Sequence, residues 1–232
     1  MKRPVWLPED APPEALPPAG HALRDPDGLL AVGGALTPPW LLHAYRHGVF
    51  PWFSAGQPIL WWSPDPRAVL FPLEFRRSRS LGQSIRNRGY ETRLDTAFEA
   101  VIDACAAPRA AGQGTWITPE MRAAYLALHR EGFALSVETW CDGELTGGLY
   151  GVAIGRVFFG ESMFARARDA SKVALARLVD ECRRRDVRLI DCQMETEHLF
   201  SLGARSITRG EFLRRVAGWA DPALRLWRSG DG

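Results

Sequence analysis

The sequence predicts an α/β protein of the α+β kind, in which a small N-terminal domain precedes a larger domain of alternating helices and strands. Proline and glycine break the first 75 residues into short segments, whereas longer periodic segments follow from about residue 78. The chain has 232 residues, of which 46% are hydrophobic and 24% charged. This length and balance are typical of a globular protein with one large core or two smaller ones.

The front of the chain is built from short elements. Residues 1–20 are rich in proline, which lacks a backbone N–H, so we expect an extended arm there. Residues 21–75 predict a small domain, in which Thr37 caps a short helix that ends at Gly48. Short apolar and aromatic segments follow this helix, and residues 68–71 are predicted to form a strand.

Residues 76–232 predict a second domain with a defined order of elements. Periodicity and capping residues indicate a helix, a strand, two helices, three strands joined by tight turns, an amphipathic helix, a strand and a short last helix. From residue 90 this is the element order of the N-acyltransferase fold of the acetyltransferase (GNAT) type. In that fold the fourth and fifth strands diverge, and the acyl donor lies in the cleft between them.

The turn after the fourth strand lacks the glycines that acetyl-CoA enzymes use. In those enzymes the backbone N–H groups of a glycine-rich segment and a helix N-terminus bind the pyrophosphate. Here residues 165–171 contain no glycine, and the segment instead carries Arg166 and, just beyond it, Lys172. Such side chains suit phosphates spread along a strand, so the sequence indicates an acyl donor other than CoA.

Composition argues against a metal site, a membrane span and a protein held to nucleic acid by its overall charge. The net charge is +2, and the four cysteines and five histidines show no metal-ligand spacing. His43 and His47 stand four residues apart, which alone is weak evidence for a ligand pair. No apolar run reaches the ~18 residues of a membrane helix, and no secretory signal follows Met1, so we expect a cytoplasmic protein.

Six motifs occur in an order that is specific to one family. They are Gly48-Val-Phe-Pro-Trp-Phe-Ser54, Trp61-Trp-Ser-Pro-Asp-Pro-Arg67, Gly114-Thr-Trp-Ile117, Gly160-Glu-Ser-Met-Phe164, Asp191-Cys-Gln193 and His198-Leu-Phe-Ser-Leu-Gly-Ala204. Together they resemble the leucyl/phenylalanyl-tRNA–protein transferase family, over about residues 21–215.

The resemblance implies an aminolysis that needs no metal or cofactor, because the donor ester is already activated. The donor is Leu-tRNA or Phe-tRNA, and less readily the methionyl ester. The acceptor is the α-amine of a protein that begins with arginine or lysine. The product carries an N-terminus that marks it for degradation by the N-end rule.

Asp191, Gln193 and Glu161 are the polar residues to which the resemblance gives chemical roles. Asp191 and Gln193 lie two apart on an apolar strand, so we expect their side chains to share a face. The resemblance implies that they form a relay at the attacking amine. We expect the Gln193 carbonyl to accept a hydrogen of the amine, and Asp191 to polarise and hold the amide. Glu161 would meet the basic side chain or amine of the acceptor. Taken alone, the pair also fits a loop anchor, and Glu161 fits a surface cap.

The donor is expected to lie among apolar and aromatic side chains. Leu149, Phe158 and Met163 are candidate walls of a pocket for the aminoacyl side chain, although plain core packing explains them equally well. Tyr45, Trp52 and Trp116 are candidates for stacking on the terminal adenosine or framing the donor. Candidate phosphate contacts, which also fit a solvated helix face, are Arg76, Arg77, Arg79, Arg166 and Lys172.

Two other hypotheses for the function are open from the sequence. One keeps catalysis but makes acetyl-CoA the donor, and the glycine-free segment at 165–171 argues against it. The other is a non-catalytic RNA-binding module, in which the Asp191/Gln193 pair and the apolar pocket have no purpose. Arginylating transferases share the reaction type, but they need a donor pocket for a charged side chain.

Overall fold

The computed structural model describes residues 3–107 and 115–227, and within them two β-sheets carry the fold. The four-stranded sheet has the order β1-β2-β4-β3 and comes from the front of the chain. Its strands are β1 (Val5–Leu7), β2 (Leu29–Gly33), β3 (Phe50–Pro51) and β4 (Leu60–Trp62). Helix α1 (Pro38–Arg46) connects β2 to β3, and Trp40 of this helix stacks on Trp61 of β4 with ring centroids 5.6 Å apart.

The seven-stranded sheet holds most of the remaining chain and has the order β11-β5-β10-β9-β8-β7-β6. Its strands are β5 (Arg67–Leu70), β6 (Glu91–Leu94), β7 (Ala134–Cys141), β8 (Glu144–Ile154), β9 (Val157–Ala165), β10 (Leu189–Gln193) and β11 (Arg205–Ile207). The helices are α2 (Arg79–Asn87), α3 (Phe98–Ala106), α4 (Pro119–Arg130), α5 (Ala170–Arg184), α6 (Glu197–Ser201) and α7 (Arg209–Trp219).

Side-chain alternation along the central strands fills a core on each face of this sheet. Phe159 and Leu189 pack into the cluster that includes α3, α4 and the small sheet, whereas Phe158 and Ile190 pack into the cluster beneath α5. All four side chains are at most 3% exposed. Both faces of the sheet are therefore covered, as expected for strands that read as continuous apolar runs.

The order predicted from residue 90 onward is confirmed, and the fold is the mixed α/β fold with a separate N-terminal part. Thr118 caps α4 by accepting a hydrogen bond from the backbone N–H of Met121 at 3.3 Å. The predicted tight turns join β7 to β8 at Asp142-Gly143 and β8 to β9 at Gly155. Helix α6 and strand β11 were not predicted, because each is too short to show a period.

The two sheets do not follow the boundaries expected at residues 20 and 75. Strand β1, within the expected arm, pairs in parallel with β2, so this part of the arm belongs to the small sheet. Strand β5, within the expected small domain, pairs antiparallel with β10 and β11 in the large sheet. The segment around β5 therefore links the small sheet to the strand that carries Asp191.

Strands β9 and β10 run parallel and then separate. Their pairing covers Leu189 with Val157, Ile190 with Phe158, and Asp191 with Phe159. Strand β9 continues beyond Phe159 to Ala165, and over this stretch it pairs only with β8 among the described residues. The separation leaves an opening beside the C-terminal end of β10, as the fold prediction requires.

Among the described residues, no helix combines the length and apolar character needed to cross a bilayer.

Candidate active site

A cavity of about 460 Å³ lies where β9 and β10 separate. Its floor comes from β8, β9 and β10, one wall from α5, and its rim from residues 193–199 and Trp116. The lining residues are Trp116, Leu149, Tyr150, Phe158, Gly160, Glu161, Ser162, Met163, Ser171, Leu175, Leu178, Ile190, Asp191, Cys192, Gln193, Thr196, His198 and Leu199.

The cavity brings together seven of the residues expected at the site. Those seven are Trp116, Leu149, Phe158, Glu161, Met163, Asp191 and Gln193. Tyr45 does not line the cavity, but its hydroxyl donates a hydrogen bond of 2.7 Å to the carboxylate of Glu161, which does. Of the motif at Gly114–Ile117, Gly114 lies outside the described residues, whereas Trp116 reaches the cavity.

The expected donor residues form an apolar wall together with neighbours that the sequence did not single out. Leu149 and Phe158 are at most 3% exposed and belong to the core beneath α5, and Met163 packs against that core. Leu175, Leu178 and Ile190 complete the wall from α5 and β10. These side chains belong to the core and also line the cavity. Core packing and a place in the donor pocket, the two alternatives for them, are therefore compatible.

Glu161 sits at the polar end of the cavity, where it accepts hydrogen bonds from two tyrosines. Tyr45 donates to Oε1 at 2.7 Å and Tyr125 donates to Oε2 at 2.6 Å. The two hydroxyls are themselves 2.7 Å apart. Both tyrosine side chains are fully buried, so their hydroxyls hold the carboxylate in one orientation.

The pKa of the Glu161 carboxyl is raised from 4.5 to about 7. Burial is the largest cause, and the negative charge of Asp191 adds to it. The hydrogen bonds from Tyr125 and Tyr45 and the charge of Arg67 act in the opposite direction. Glu161 therefore exchanges its proton near neutral pH, which suits a group that meets an amine.

Gln193 projects from an irregular part of β10. Its φ is +61°, in the left-handed region, and the register with β5 shifts between Asp191 and Gln193. The side-chain Nε2 donates to Glu161 Oε1 at 3.2 Å. Because the amide nitrogen is turned toward Glu161, the Gln193 carbonyl oxygen is the end of the amide left to accept a hydrogen bond.

Asp191 forms a buried, bidentate ion pair with Arg67. Arg67 Nε donates to Oδ1 at 2.8 Å and Nη2 donates to Oδ2 at 2.7 Å, and the two side chains are 1% and 0% exposed. The Arg67 guanidinium lies between the rings of Phe50 and Phe212, 4.6 Å from each centroid. This geometry is the strong fork-to-carboxylate arrangement of arginine.

The expected side-chain contact between Asp191 and Gln193 is replaced by a main-chain contact. Asp191 Oδ1 accepts from the backbone N–H of Gln193 at 2.9 Å, whereas the Gln193 amide contacts Glu161. Asp191 thus holds the backbone that presents Gln193 and does not touch its amide. The relay in which Asp191 polarises the Gln193 amide stays a prediction, and in this geometry the amide is turned toward Glu161 of β9.

Trp52 and the candidate phosphate contacts lie outside the cavity lining that the described residues form. Trp52 is 41% exposed and meets Trp62 edge to face at 5.8 Å in the small sheet. Arg77 pairs with Asp180 at 3.0 Å, and Lys172 pairs with Asp169 at 3.3 Å. The other three arginines, Arg76, Arg79 and Arg166, are exposed.

A carboxylate lies beside the N-terminus of α5, the position at which a CoA enzyme would bind pyrophosphate. Asp169 is the residue before α5 and has φ +61°. Its Oδ2 accepts from the Ser84 hydroxyl at 2.8 Å and its Oδ1 pairs with Lys172. A second anion at this helix end would meet that carboxylate, so the segment does not form a pyrophosphate cradle.

The cysteine in the cavity wall is not an activated nucleophile. Burial raises the pKa of the Cys192 thiol well above its ordinary value, and the charge of Asp191 raises it further. Within residues 3–107 and 115–227, no group of three or more His, Cys, Asp or Glu side chains could hold a metal ion. His43 and His47 stack on each other with centroids 4.2 Å apart.

Two residues that shape the site, Arg67 and Tyr125, were not among those expected from the sequence. Arg67 ends the Trp61–Arg67 motif, so the motif itself was the signal, but nothing in a single chain pairs Arg67 with Asp191 across more than a hundred residues. Tyr125 lies on α4 between Met121 and Leu128 on the buried face, where an aromatic residue reads as core. His198, Thr196 and Ser171 also reach the cavity rim.

A cavity between separating strands, apolar along one wall and polar at Glu161 and Gln193, is the kind of site that an acyltransferase uses. Sequence comparison then identifies the particular family. Residues 69–217 match the model of the family described as "Leucyl/phenylalanyl-tRNA protein transferase". Residues 34–65 match the model of that family's N-terminal domain.

Individual relatives carry the same name. A leucyl/phenylalanyl-tRNA–protein transferase of Chromohalobacter salexigens is 63% identical over 208 residues, which is 90% of this chain and 80% of the relative. One from Azoarcus sp. is 60% identical over 214 residues, 92% of this chain and 90% of the relative. A GCN5-related N-acetyltransferase from Kribbella flavida superposes with a TM-score of 0.36 at 14% identity, covering 72% of this chain and 60% of that one.

The chain therefore belongs to the leucyl/phenylalanyl-tRNA–protein transferase family and is an aminoacyltransferase that moves an aminoacyl group from tRNA to a protein.

Proposed function

We propose that this enzyme transfers leucine or phenylalanine, and less readily methionine, from the 3′ end of tRNA to the α-amine of proteins beginning with arginine or lysine. The acceptors would thereby be marked for N-end-rule degradation in the cytoplasm. The main support for the proposal is that one cavity contains both an apolar wall and the hydrogen-bonded pair Gln193–Glu161. An uncharged donor side chain fits the wall, and a cationic acceptor fits the pair.

The donor side chain occupies the apolar end in this proposal. Leu149, Phe158 and Met163 contact it, and a flexible thioether in the wall accommodates branched and aromatic side chains alike. A charged donor such as an arginyl ester finds no counter-charge among Leu175, Leu178 and Ile190. The pocket thus favours leucine and phenylalanine over arginine as the transferred residue.

The acceptor amine lies beside Gln193 in this proposal. The Gln193 carbonyl oxygen accepts one N–H of the neutral amine and directs its lone pair at the ester carbonyl carbon. The new C–N bond forms as the carbonyl oxygen takes negative charge. The C–O bond to the terminal ribose then breaks, and the proton lost by the amine ends on the released ribose hydroxyl. The rate gain comes mainly from positioning the two reactants.

Glu161 and Arg67 support that step in different ways. Glu161 in its ionised form attracts the basic side chain or the amine of the acceptor. Arg67 is a positioning residue, because it fixes Asp191, which in turn fixes the backbone N–H of Gln193. Trp116 at the rim is suited to stack on the terminal adenine. Trp52 would frame the donor only if the 3′ end extends toward the small sheet.

The tRNA body would follow the basic side chains along α2 and the start of α5. These two helices pack together, and Ser84 of α2 contacts Asp169 at the N-terminus of α5. The candidate phosphate contacts Arg76, Arg77, Arg79, Arg166 and Lys172 belong to this region. A basic surface of this size suits sequence-independent contact with phosphates.

The direct test is single-turnover transfer of labelled leucine from Leu-tRNA to a peptide that begins with arginine. We expect a Leu-Arg N-terminus, and no product from a matched peptide that begins with glutamate. Arginine charged on tRNA serves as the donor control and should transfer poorly. Acetylation of the peptide by acetyl-CoA, with no leucine transferred, would overturn the proposal.

A further inference from the structure

A second concavity, of about 720 Å³, lies on the small sheet next to the catalytic cavity. It is lined by residues 6–9 at the end of β1, by residues 33–37 and 55–59, and by the start of α4. We call it the N-terminal groove. Its prominent side chains are Trp6, Glu9, Phe53, Thr118 and Glu120.

The groove and the catalytic cavity share one stretch of chain. Trp116 lines the cavity, and Thr118, two residues later, lines the groove. The backbone N–H of Thr118 donates to the carbonyl of Trp116 at 2.9 Å, so the chain turns there. Two residues span at most ~7 Å, so the backbone of Trp116 at the cavity lies within that distance of Thr118 at the groove. We therefore expect a polypeptide that leaves the cavity past Trp116 to reach the groove within a few residues.

The charge of the groove selects against a nucleic acid. Of the described residues that line it, the ionisable ones are Glu9 and Glu120, and both are exposed. Two carboxylates with no lysine, arginine or histidine among those lining residues repel phosphates and attract basic side chains. The basic side chains proposed above as phosphate contacts lie instead near α2 and the start of α5.

An unusual apolar surface accompanies this charge. Trp6 is 71% exposed and its neighbour Val5 is 43% exposed, although both belong to a strand. An exposed tryptophan beside a concave surface is typical of a binding site for a polypeptide, since it offers a large rigid face at little entropic cost. Phe53 adds a buried aromatic ring to the groove wall.

We propose that the N-terminal groove binds the extended segment of the acceptor protein that follows its N-terminal residue. The groove favours a segment with apolar and basic side chains at about the third to sixth positions. This inference rests on the proposed function, because the acceptor amine must first lie beside Gln193. It gives the enzyme a preference among acceptors that share the same first residue.

The test compares a short and a long acceptor on the full-length enzyme with saturating Leu-tRNA. The short acceptor is Arg-Ala-amide, and the long acceptor is Arg-Ala-Lys-Phe-Lys-Ala-amide. We expect Trp6→Ala and Glu9→Lys each to raise the KM of the long acceptor about 5- to 10-fold, which corresponds to the loss of about 1 kcal/mol of contact. Both variants should leave kcat and the KM of the short acceptor within about twofold. Leu73→Ala and Glu91→Lys, which remove an exposed leucine and an exposed glutamate elsewhere, should change neither KM.

Charge reversal provides a rescue that a folding defect does not imitate. A long acceptor with glutamate in place of its two lysines should bind Glu9→Lys better than it binds the parent enzyme. Anisotropy of the labelled long acceptor, measured without tRNA, reports groove binding independently of transfer. Absence of any leucine transfer by the parent enzyme would count against the proposed function, whereas the anisotropy would still decide the groove.

Three results would overturn the inference. The first is an equal rise of KM for short and long acceptors, which would place the defect in the cavity. The second is a rise in the KM of Leu-tRNA with acceptors unaffected, which would make the groove a tRNA contact. The third is no change in any variant.

Discussion

Glu161 combines burial with two hydrogen bonds that favour its ionised form, and the balance puts its pKa close to physiological pH. The ordinary value of 4.5 applies to the unfolded chain, and about 7 applies to the folded protein. Between these values the folded protein holds the proton more firmly than the unfolded chain does. The contribution of Glu161 to stability is therefore lost as the pH rises from about 4.5 to 7.

The first prediction uses Glu161→Gln, which keeps the shape of the side chain and removes its titration. The melting temperature of the variant relative to the parent should be higher at pH 8 than at pH 5, because only the parent must bury a charge at pH 8. The measurement is thermal unfolding at a series of pH values. Glu91→Gln, at an exposed site, is the control and should show a flat difference. A flat difference for Glu161→Gln would mean that the carboxyl titrates at its ordinary pKa.

The second prediction concerns the amide of Gln193. Gln193→Ala removes the carbonyl oxygen proposed to orient the amine, and it should lower single-turnover transfer by roughly 10²–10⁴, the usual range for a positioned proton acceptor. Gln193→Glu supplies a stronger base but places a second carboxylate against Glu161, where the amide now donates at 3.2 Å. We expect Gln193→Glu to lose activity as well, since close like charges raise one pKa and disfavour ionisation.

A tRNA-binding titration separates these losses from a general defect. Donor affinity should stay within about twofold for both variants, because the apolar wall is untouched and a twofold change is under half a kcal/mol. Near-normal turnover in Gln193→Ala, or a faster Gln193→Glu enzyme, would remove Gln193 from the reaction and leave it as an anchor for the loop after β10.

At the scale of elements, the regular parts of the chain were predictable and the irregular ones were not. Helices α3, α4 and α5 showed clear periods, Thr118 marked the start of α4, and three long antiparallel strands were marked by their turns. The bulge in β10 was not predictable, because the two-residue spacing of Asp191 and Gln193 reads as a regular strand. At this bulge Asp191 pairs with Arg67, 124 residues away in the sequence, and a single chain gives no sign of that contact.

The same limit explains which site residues sequence patterns could identify. Motif residues such as Glu161 and Met163 were found through the resemblance, and the cavity brings them together. The partners of Glu161 were harder to predict, because Tyr45 and Tyr125 lie on helices α1 and α4, 80 residues apart in the chain. The approach of α1 to α4 depends on the packing of the small sheet, which the local pattern does not encode.

The third prediction belongs to the segment between β9 and α5. The Asp169 carboxylate lies beside the N-terminus of α5, held by Ser84 and Lys172, and Gly147 of β8 allows close packing there, since a Cβ on Gly147 would meet the Cβ of Ala170 at 2.5 Å. Millimolar acetyl-CoA should therefore leave the melting temperature unchanged, whereas an aminoacyl-adenosine analogue that carries phenylalanine should raise it. A rise with acetyl-CoA that equals the rise with the analogue would contradict the donor assignment.

At the scale of the whole molecule, Arg67 connects the parts of the enzyme that the site needs. The residue lies on β5, its guanidinium packs on Phe50 of the small sheet and Phe212 of α7, and it grips Asp191 on β10. The 0–1% exposure of the pair means that neither charge has water to replace its partner. The small sheet thus influences the geometry of Gln193 without contacting the cavity itself.

The fourth prediction separates the structural and the chemical parts of that connection. Arg67→Met leaves Asp191 buried without a counter-charge, and Asp191→Leu leaves Arg67 in the same position, so each should cost roughly 3–5 kcal/mol of unfolding free energy. The double variant Arg67→Met/Asp191→Leu removes both charges from an apolar setting, and its stability should recover to within about 1–2 kcal/mol of the parent. Activity should not recover, because the backbone N–H of Gln193 has lost its acceptor at 2.9 Å and the amide is no longer held toward Glu161. Denaturant unfolding and single-turnover transfer on the same four proteins measure the two quantities.

The exposed pair Arg205–Glu74, at 2.9 Å, is the control, and its double-mutant cycle should give at most about 1 kcal/mol with full activity. If activity returned together with stability in the double variant, Arg67 and Asp191 would be a structural pair only, and Gln193 would be positioned by Glu161 alone.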